Sequence, residues 1–351
     1  MTFLYGLFKM IIVYTSLFFL LLAVTVSMVL VLKKTEKRPA KFRMYSINAV
    51  LFISTLLFSL LIIEVFCYAF IVHSDSFSFT LANQRWFEKY WHPINRLGYR
   101  DPDYSTEKLN NSHLIFVVGD SFVAGQGIKN YQDRFSNRLQ DKLGADWLVL
   151  NIAQVGWSTT DELHALTTHP YKPEILIWSY FVDDIRETAN RSHEKFRFTE
   201  LITLPSPRWQ PIIEHSYFIN FFYWRWYRQY HQGPESVYWQ KLQYFYDHEE
   251  IWSIHEQELT AVVQYARERD ILLIPLVFPN LVALEQSKPI TTKVIKLFQA
   301  LGTHPLDMTA TLRAQPAAEL VVNPMDAHPN EKVHTEVATL LFTQINSFIN
   351  R

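Results

Sequence analysis

The chain has 351 residues, of which 49% are hydrophobic, 19% charged and 15% aromatic. A formal net charge of −1 argues against a nucleic-acid tether and against a surface built for acidic substrates. The one cysteine, Cys67, excludes an internal disulfide and any cysteine-spaced metal site, and no histidine group suggests a metal or cofactor either.

The apolar residues are concentrated at the start. From about Met10 to Leu32 the chain carries no charge, and the run stops at Lys33-Lys34. A second run, from about Tyr45 to Val72, has Glu64 as its only charged residue. Each is near the ~20 residues that cross a bilayer core. The first is longer than the apolar part of a cleaved signal and lacks a small-residue cleavage site, so two membrane helices are expected. Between them stand Lys33, Lys34, Lys37, Arg38, Lys41 and Arg43 against a single acid, Glu36. A short loop so rich in Lys and Arg stays on the cytoplasmic side. The expected topology is a two-pass anchor in a bacterial inner membrane, with the rest of the chain in the periplasm or outside. Glu64 is either a functional intramembrane acid or a helix-packing residue held by a polar neighbour.

Residues 1–72 are thus expected to form the anchor, 73–110 a turn-rich lead-in, and 111–351 an α/β domain. In that domain, short apolar runs suited to buried parallel strands occur at His113–Val118, Trp147–Ala153, Glu174–Trp178 and Ile271–Phe278. Helical stretches fall between them, at Asp133–Leu143, Thr160–Thr168 and Glu256–Arg269, with a last helix over Asn330–Asn350. This alternation predicts a parallel sheet covered on both faces. At about 186–250 it is interrupted by an insertion containing Tyr217-Phe-Ile-Asn-Phe-Phe-Tyr-Trp-Arg-Trp-Tyr227. Helical hairpin packing, a lid or lipid-touching surface, and stacking on a glycan all remain open for it.

The residues fit for chemistry lie after the first and last strands. Gly119-Asp120-Ser121 follows the first strand, at the carboxyl end of the sheet where open parallel sheets place their ligands. Near the C-terminus, Asp326-Ala327-His328-Pro329-Asn330 follows a short strand at Leu320–Val322, and reads as a loop opening the last helix. A serine nucleophile needs a base, and an imidazole base needs a carboxylate to fix its tautomer. If loop and sheet end meet, Ser121, His328 and Asp326 supply all three.

With these residues the chain resembles the SGNH (GDSL) hydrolase family, over roughly Asn95 to the C-terminus. Gly119-Asp-Ser-Phe-Val-Ala-Gly-Gln-Gly127 is similar to the family's first block and Asn151-Ile-Ala-Gln-Val-Gly156 to its second. The resemblance implies a flavodoxin-like three-layer sandwich, Ser121 as nucleophile with His328 and Asp326, and an oxyanion site drawn from Ser121, Gly156 and residue 183. Two departures stand out. The family's Asn-Asp pair reads Asp183-Asp184 here, and an ionised Asp cannot donate to an oxyanion. Asp183 is therefore protonated, or turned away, or the Ser121 and Gly156 N–H groups serve alone. The second departure is that one residue, rather than two, separates Asp326 from His328. The expected function is an extracytoplasmic serine esterase or deacylase acting on O-acyl groups of an envelope glycan or lipid. Transfer of the acyl group to a polysaccharide with a multispanning acyltransferase partner, and a non-catalytic binding or assembly role, are the alternatives.

Overall fold

The computed structural model describes residues 2–34, 38–76, 79–192, 194, 205–231 and 233–349. Glu36 and Lys37 of the basic loop and residues 195–204 of the insertion lie outside them. The chain divides into two compact units, one of residues 1–73, 79–89 and 204–230, the other of 74–78, 90–203 and 231–351.

The first unit is built on two helices, Thr2–Lys34 and Ala40–Phe70. Within them Ile12–Lys34 and Ala40–Phe70 are long and apolar enough to cross a bilayer. They pair antiparallel. Phe18 meets Phe58 with ring centroids 5.0 Å apart, and the buried Thr25 hydroxyl donates to Ser54 at 2.8 Å. Nearer the other end of the pair, Tyr14 donates to Glu64 at 3.3 Å. Hydroxyl pairs of this kind join helices where apolar contact alone gives no preference over lipid.

Glu64 also resolves part of the insertion. Its carboxylate accepts from the Ser216 hydroxyl at 2.8 Å and from the backbone N–H groups of Tyr217 and Phe218 at 2.6 and 3.0 Å. The acid therefore caps the helix Tyr217–Tyr230, whose first N–H groups have no partner inside the helix. This is the helix-packing reading of Glu64. Tyr217 packs edge-on against Tyr68, and Asn220 links Leu81 N–H to the Ile213 carbonyl.

In the second unit, five parallel strands form one sheet: β1 (His113–Gly119), β2 (Trp147–Ala153), β3 (Ile175–Phe181), β4 (Leu272–Phe278) and β5 (Leu306–Asp307). Their order is β2-β1-β3-β4-β5. Alternate residues of β1 and β3 feed two separate cores. Phe116, Val118, Leu176 and Trp178 join helices Thr159–Thr168, Glu249–Arg267 and Leu284–Ala300 on one face. Ile115, Val117, Ile175 and Ile177 join Phe135–Leu143 and Glu331–Ile349 on the other. Strands covered on both faces read as continuous apolar runs, which is why the sequence shows them. A separate antiparallel pair, β6 (Val321–Asn323) and β7 (Asp326–Pro329), precedes the last helix. The expectation of a loop at Asp326–Asn330 is corrected here: its first four residues are a strand, and the helix starts at Glu331.

Candidate active site

Ser121 opens a four-residue helix directly after β1. Asp120 caps that helix, accepting from Phe122 N–H at 2.9 Å, which fixes the turn that presents the serine. Three further groups lock the turn from below. The Asn151 amide donates to the Val123 carbonyl at 2.8 Å from the end of β2. Buried Arg100 donates to the carbonyls of Gly125 at 2.6 Å and Ile128 at 2.7 Å. Arg134 is paired with Asp101 at 2.9 Å. Gly127, at φ +88°, lets β6 come close: a Cβ there would lie 2.3 Å from Val322 Cγ2 and 3.1 Å from Asp326 Oδ2.

His328 Nε2 lies 2.8 Å from Ser121 Oγ. Its Nδ1 is hydrogen-bonded to Asp326 Oδ1, which also accepts from the His328 backbone N–H at 3.2 Å. The strand explains the unusual spacing. Residues two apart in a strand project to the same face, so Asp326 and His328 meet side by side with one residue between them. All three side chains are buried, with Ser121 and His328 each 8% exposed.

The hairpin is itself braced by chain just beyond the second apolar helix. Ser76 N–H donates to the Met325 carbonyl at 3.0 Å, and its hydroxyl accepts from Ala327 N–H at 2.8 Å. The Asn323 amide donates to the Ser74 carbonyl at 3.1 Å, and Gln126 to the Asp75 carbonyl at 3.0 Å. The sequence reading gave Ser74, Asp75 and Ser76 no part in the site; their short polar side chains carry no periodic signal.

Burial favours the neutral ring of His328, but Asp326, followed by Asp120 and Asp75, outweighs it and holds the imidazole above its ordinary pKa. Burial likewise opposes the Asp326 charge, and His328 together with Ser74 more than offsets it, so this carboxyl sits below its usual value. Asp120 is pushed up to about 6, chiefly by burial. Asp184 is raised well above ordinary carboxyls by burial and by the charge of Asp120, and Glu162 by burial and by the charges of Asp184 and Asp120.

Asp183 is held as an acceptor on both oxygens. Its Oδ2 accepts from Arg186 Nε at 2.8 Å and its Oδ1 from the Tyr238 hydroxyl at 3.1 Å. Burial raises its pKa, and those two partners work against the rise. Gly156, at φ +80°, is exposed, and a Cβ there would meet nothing within 4 Å. Of the other histidines, His334 accepts from Phe135 N–H at 3.1 Å in the core, where burial drives its pKa down to about 3.

The sheet order is that of flavodoxin-like folds, with the Gly-Asp-Ser turn after β1 and the Asp/His strand before the last helix. No family model matches the chain, and no curated protein does. Solved structures similar to it include a psychrotrophic esterase from Pseudoalteromonas sp., 15% identical, covering 68% of this chain and 100% of that one with a TM-score of 0.40. A lipase/acylhydrolase from Enterococcus faecalis is 12% identical over 67% of this chain and 96% of its own, at a TM-score of 0.40. The M. smegmatis aryl esterase is 14% identical over 67% and 99%, at 0.36.

Proposed function

We propose that the protein is a membrane-anchored serine esterase or deacylase that removes O-acyl groups from an envelope glycan or lipid. The observation carrying this reading is the unbroken line from Ser121 Oγ to His328 and from His328 to Asp326.

In this reading His328 Nε2 takes the Ser121 proton as Oγ bonds to the ester carbonyl carbon. The carbonyl electron pair moves to oxygen, facing the N–H groups of Ser121 and Gly156. Collapse of that adduct breaks the bond to the alcohol, which leaves with the proton from His328. Water, deprotonated by His328 in turn, then releases the acid and restores the serine. Asp326 holds the Nδ1 proton and offsets the imidazolium charge in both halves. Asp183, tied to Arg186 and Tyr238, donates nothing to the oxyanion. The basic loop on the cytoplasmic side would set this chemistry outside the inner membrane, within reach of envelope esters.

A fluorophosphonate probe applied to the detergent-solubilised protein tests the reading. Labelling is expected at Ser121 and lost in Ser121→Ala, along with esterase activity on a small acetyl ester. A folded protein that hydrolyses the ester without ever labelling at Ser121 would sink the serine mechanism.

A further inference from the structure

The insertion carries an apolar face that its own unit leaves uncovered. Ile219 is 36% exposed, Phe222 55% and Trp226 52%, and Ile212 in the preceding helix Gln210–His215 is 44% exposed. Spacings of three and four residues place Ile219, Phe222 and Trp226 on one side of their helix, while Asn220, Trp224 and Tyr227 are buried on the other. Arg225 stacks over Phe221 with its charge 4.3 Å from the ring centre, and Arg208 is exposed nearby in the chain.

The depth of this face follows from Glu64. Arg43 and Glu64 are 21 residues apart in one helix, on the order of 30 Å at ~1.5 Å per residue. That equals the thickness of the hydrocarbon core. The partner helix gives the same measure: Lys34 and Tyr14 are 20 residues apart, and Tyr14 bonds to Glu64. With the basic residues at one border, Tyr14 and Glu64 mark the other. The helix Tyr217–Tyr230 starts on Glu64 itself. Whatever its tilt, Ile219 lies within about 3 Å and Phe222 within about 8 Å of that level along the axis. The interfacial layer beyond the core is itself roughly 5–8 Å deep.

We infer that Ile212, Ile219 and Phe222 are embedded in the interfacial layer of the lipid bilayer on the side away from the basic loop. The insertion is then a third membrane-contacting element, with Arg208 and Arg225 available to lipid phosphates. This rests on the reading of the two apolar helices as spans.

The test uses the full chain in phosphatidylethanolamine–phosphatidylglycerol vesicles, in a Cys67→Ala background. Single cysteines replacing Ile219, Phe222 and, as a mid-span reference, Phe52 are labelled with a nitrobenzoxadiazole dye, and thermal unfolding confirms that each variant is folded. Lipids carrying a nitroxide high on the acyl chain are expected to quench the dyes at 219 and 222 at least twofold more than deep nitroxides do, with the reverse at 52. Quenching at 52 without quenching at 219 and 222 overturns the inference and leaves the anchor standing. No quenching at 52 removes the anchor itself, and the inference with it. A face that is unquenched here but protected from aqueous labelling only in native membranes belongs to a protein partner, which also overturns it.

Discussion

Ser121 and His328 were legible because each sits in a local pattern that chemistry demands: a serine at the carboxyl end of a strand, and an imidazole next to a carboxylate. What the sequence could not show is how Asp326 reaches His328, since that depends on backbone conformation rather than residue type. The geometry has a measurable consequence. His328 must be neutral to accept the serine proton, and its pKa is raised, so activity should be absent at low pH and rise through a midpoint above the ordinary imidazole value of ~6.5. Asp326→Asn removes the charge that raises it. The kcat/KM profile should shift its acid limb to lower pH while the plateau falls by about 10²–10⁴. An unmoved limb would mean that another group titrates there. Asp183 supplies the second residue-scale expectation. Asp183→Asn puts an N–H where Arg186 Nε needs an acceptor, which breaks that bridge and frees the amide to turn toward the oxyanion, so esterase turnover should rise by roughly tenfold or more. A fall would show that the bridge to Arg186 matters more than an added donor.

At the scale of elements, the long buried strands were readable because a central parallel strand is apolar on both faces. Of the hairpin, β6 was, since the short strand expected at Leu320–Val322 overlaps it, but β7 was not: it is four residues long and contains Asp, His and Pro, which read as a loop. The brace at Ser74–Ser76 was equally hidden, because it joins segments about 250 residues apart. Its expected role is to hold β7 in register with the serine turn. Ser76→Pro deletes both the N–H donor to Met325 and the hydroxyl acceptor for Ala327. Turnover should fall by about 10–100-fold with little change in KM, since small misplacements of a base cost rate more than binding. An equal loss in Ser76→Ala would assign the effect to the hydroxyl, and full activity in Ser76→Pro would remove the brace from the mechanism.

For the whole molecule, composition separated an apolar N-terminal part from an α/β part, but not the membership of residues 204–230 and 79–89 in the first unit. That membership turns on contacts such as Glu64 with Ser216, across 152 residues, which no local pattern reports. A property of the fold as a whole comes from Glu162, fully buried with its pKa raised well above the ordinary glutamate value. The native state holds this proton where the unfolded chain, with a pKa near 4.3, has lost it. Stability is therefore undiminished below the unfolded pKa and drains away as pH climbs toward the native one. Glu162→Gln should flatten the dependence of unfolding free energy on pH between 5 and 8 by up to ~1.4 kcal/mol per pH unit. Denaturant unfolding at several pH values measures it, and parallel slopes for both proteins would show that Glu162 is ionised in the native state.

Because β7 is a strand, the interval between the acid and the base obeys parity. An even step keeps both side chains on the face toward Ser121, whereas an odd step sends the carboxylate to the opposite face. On a flexible loop, one more or one fewer residue is absorbed by bending; here it switches the acid out of the site altogether. The wider interval common in the family therefore cannot be reached from this chain by a single insertion into the strand. A search for that interval would also pass over any protein built on the same even step.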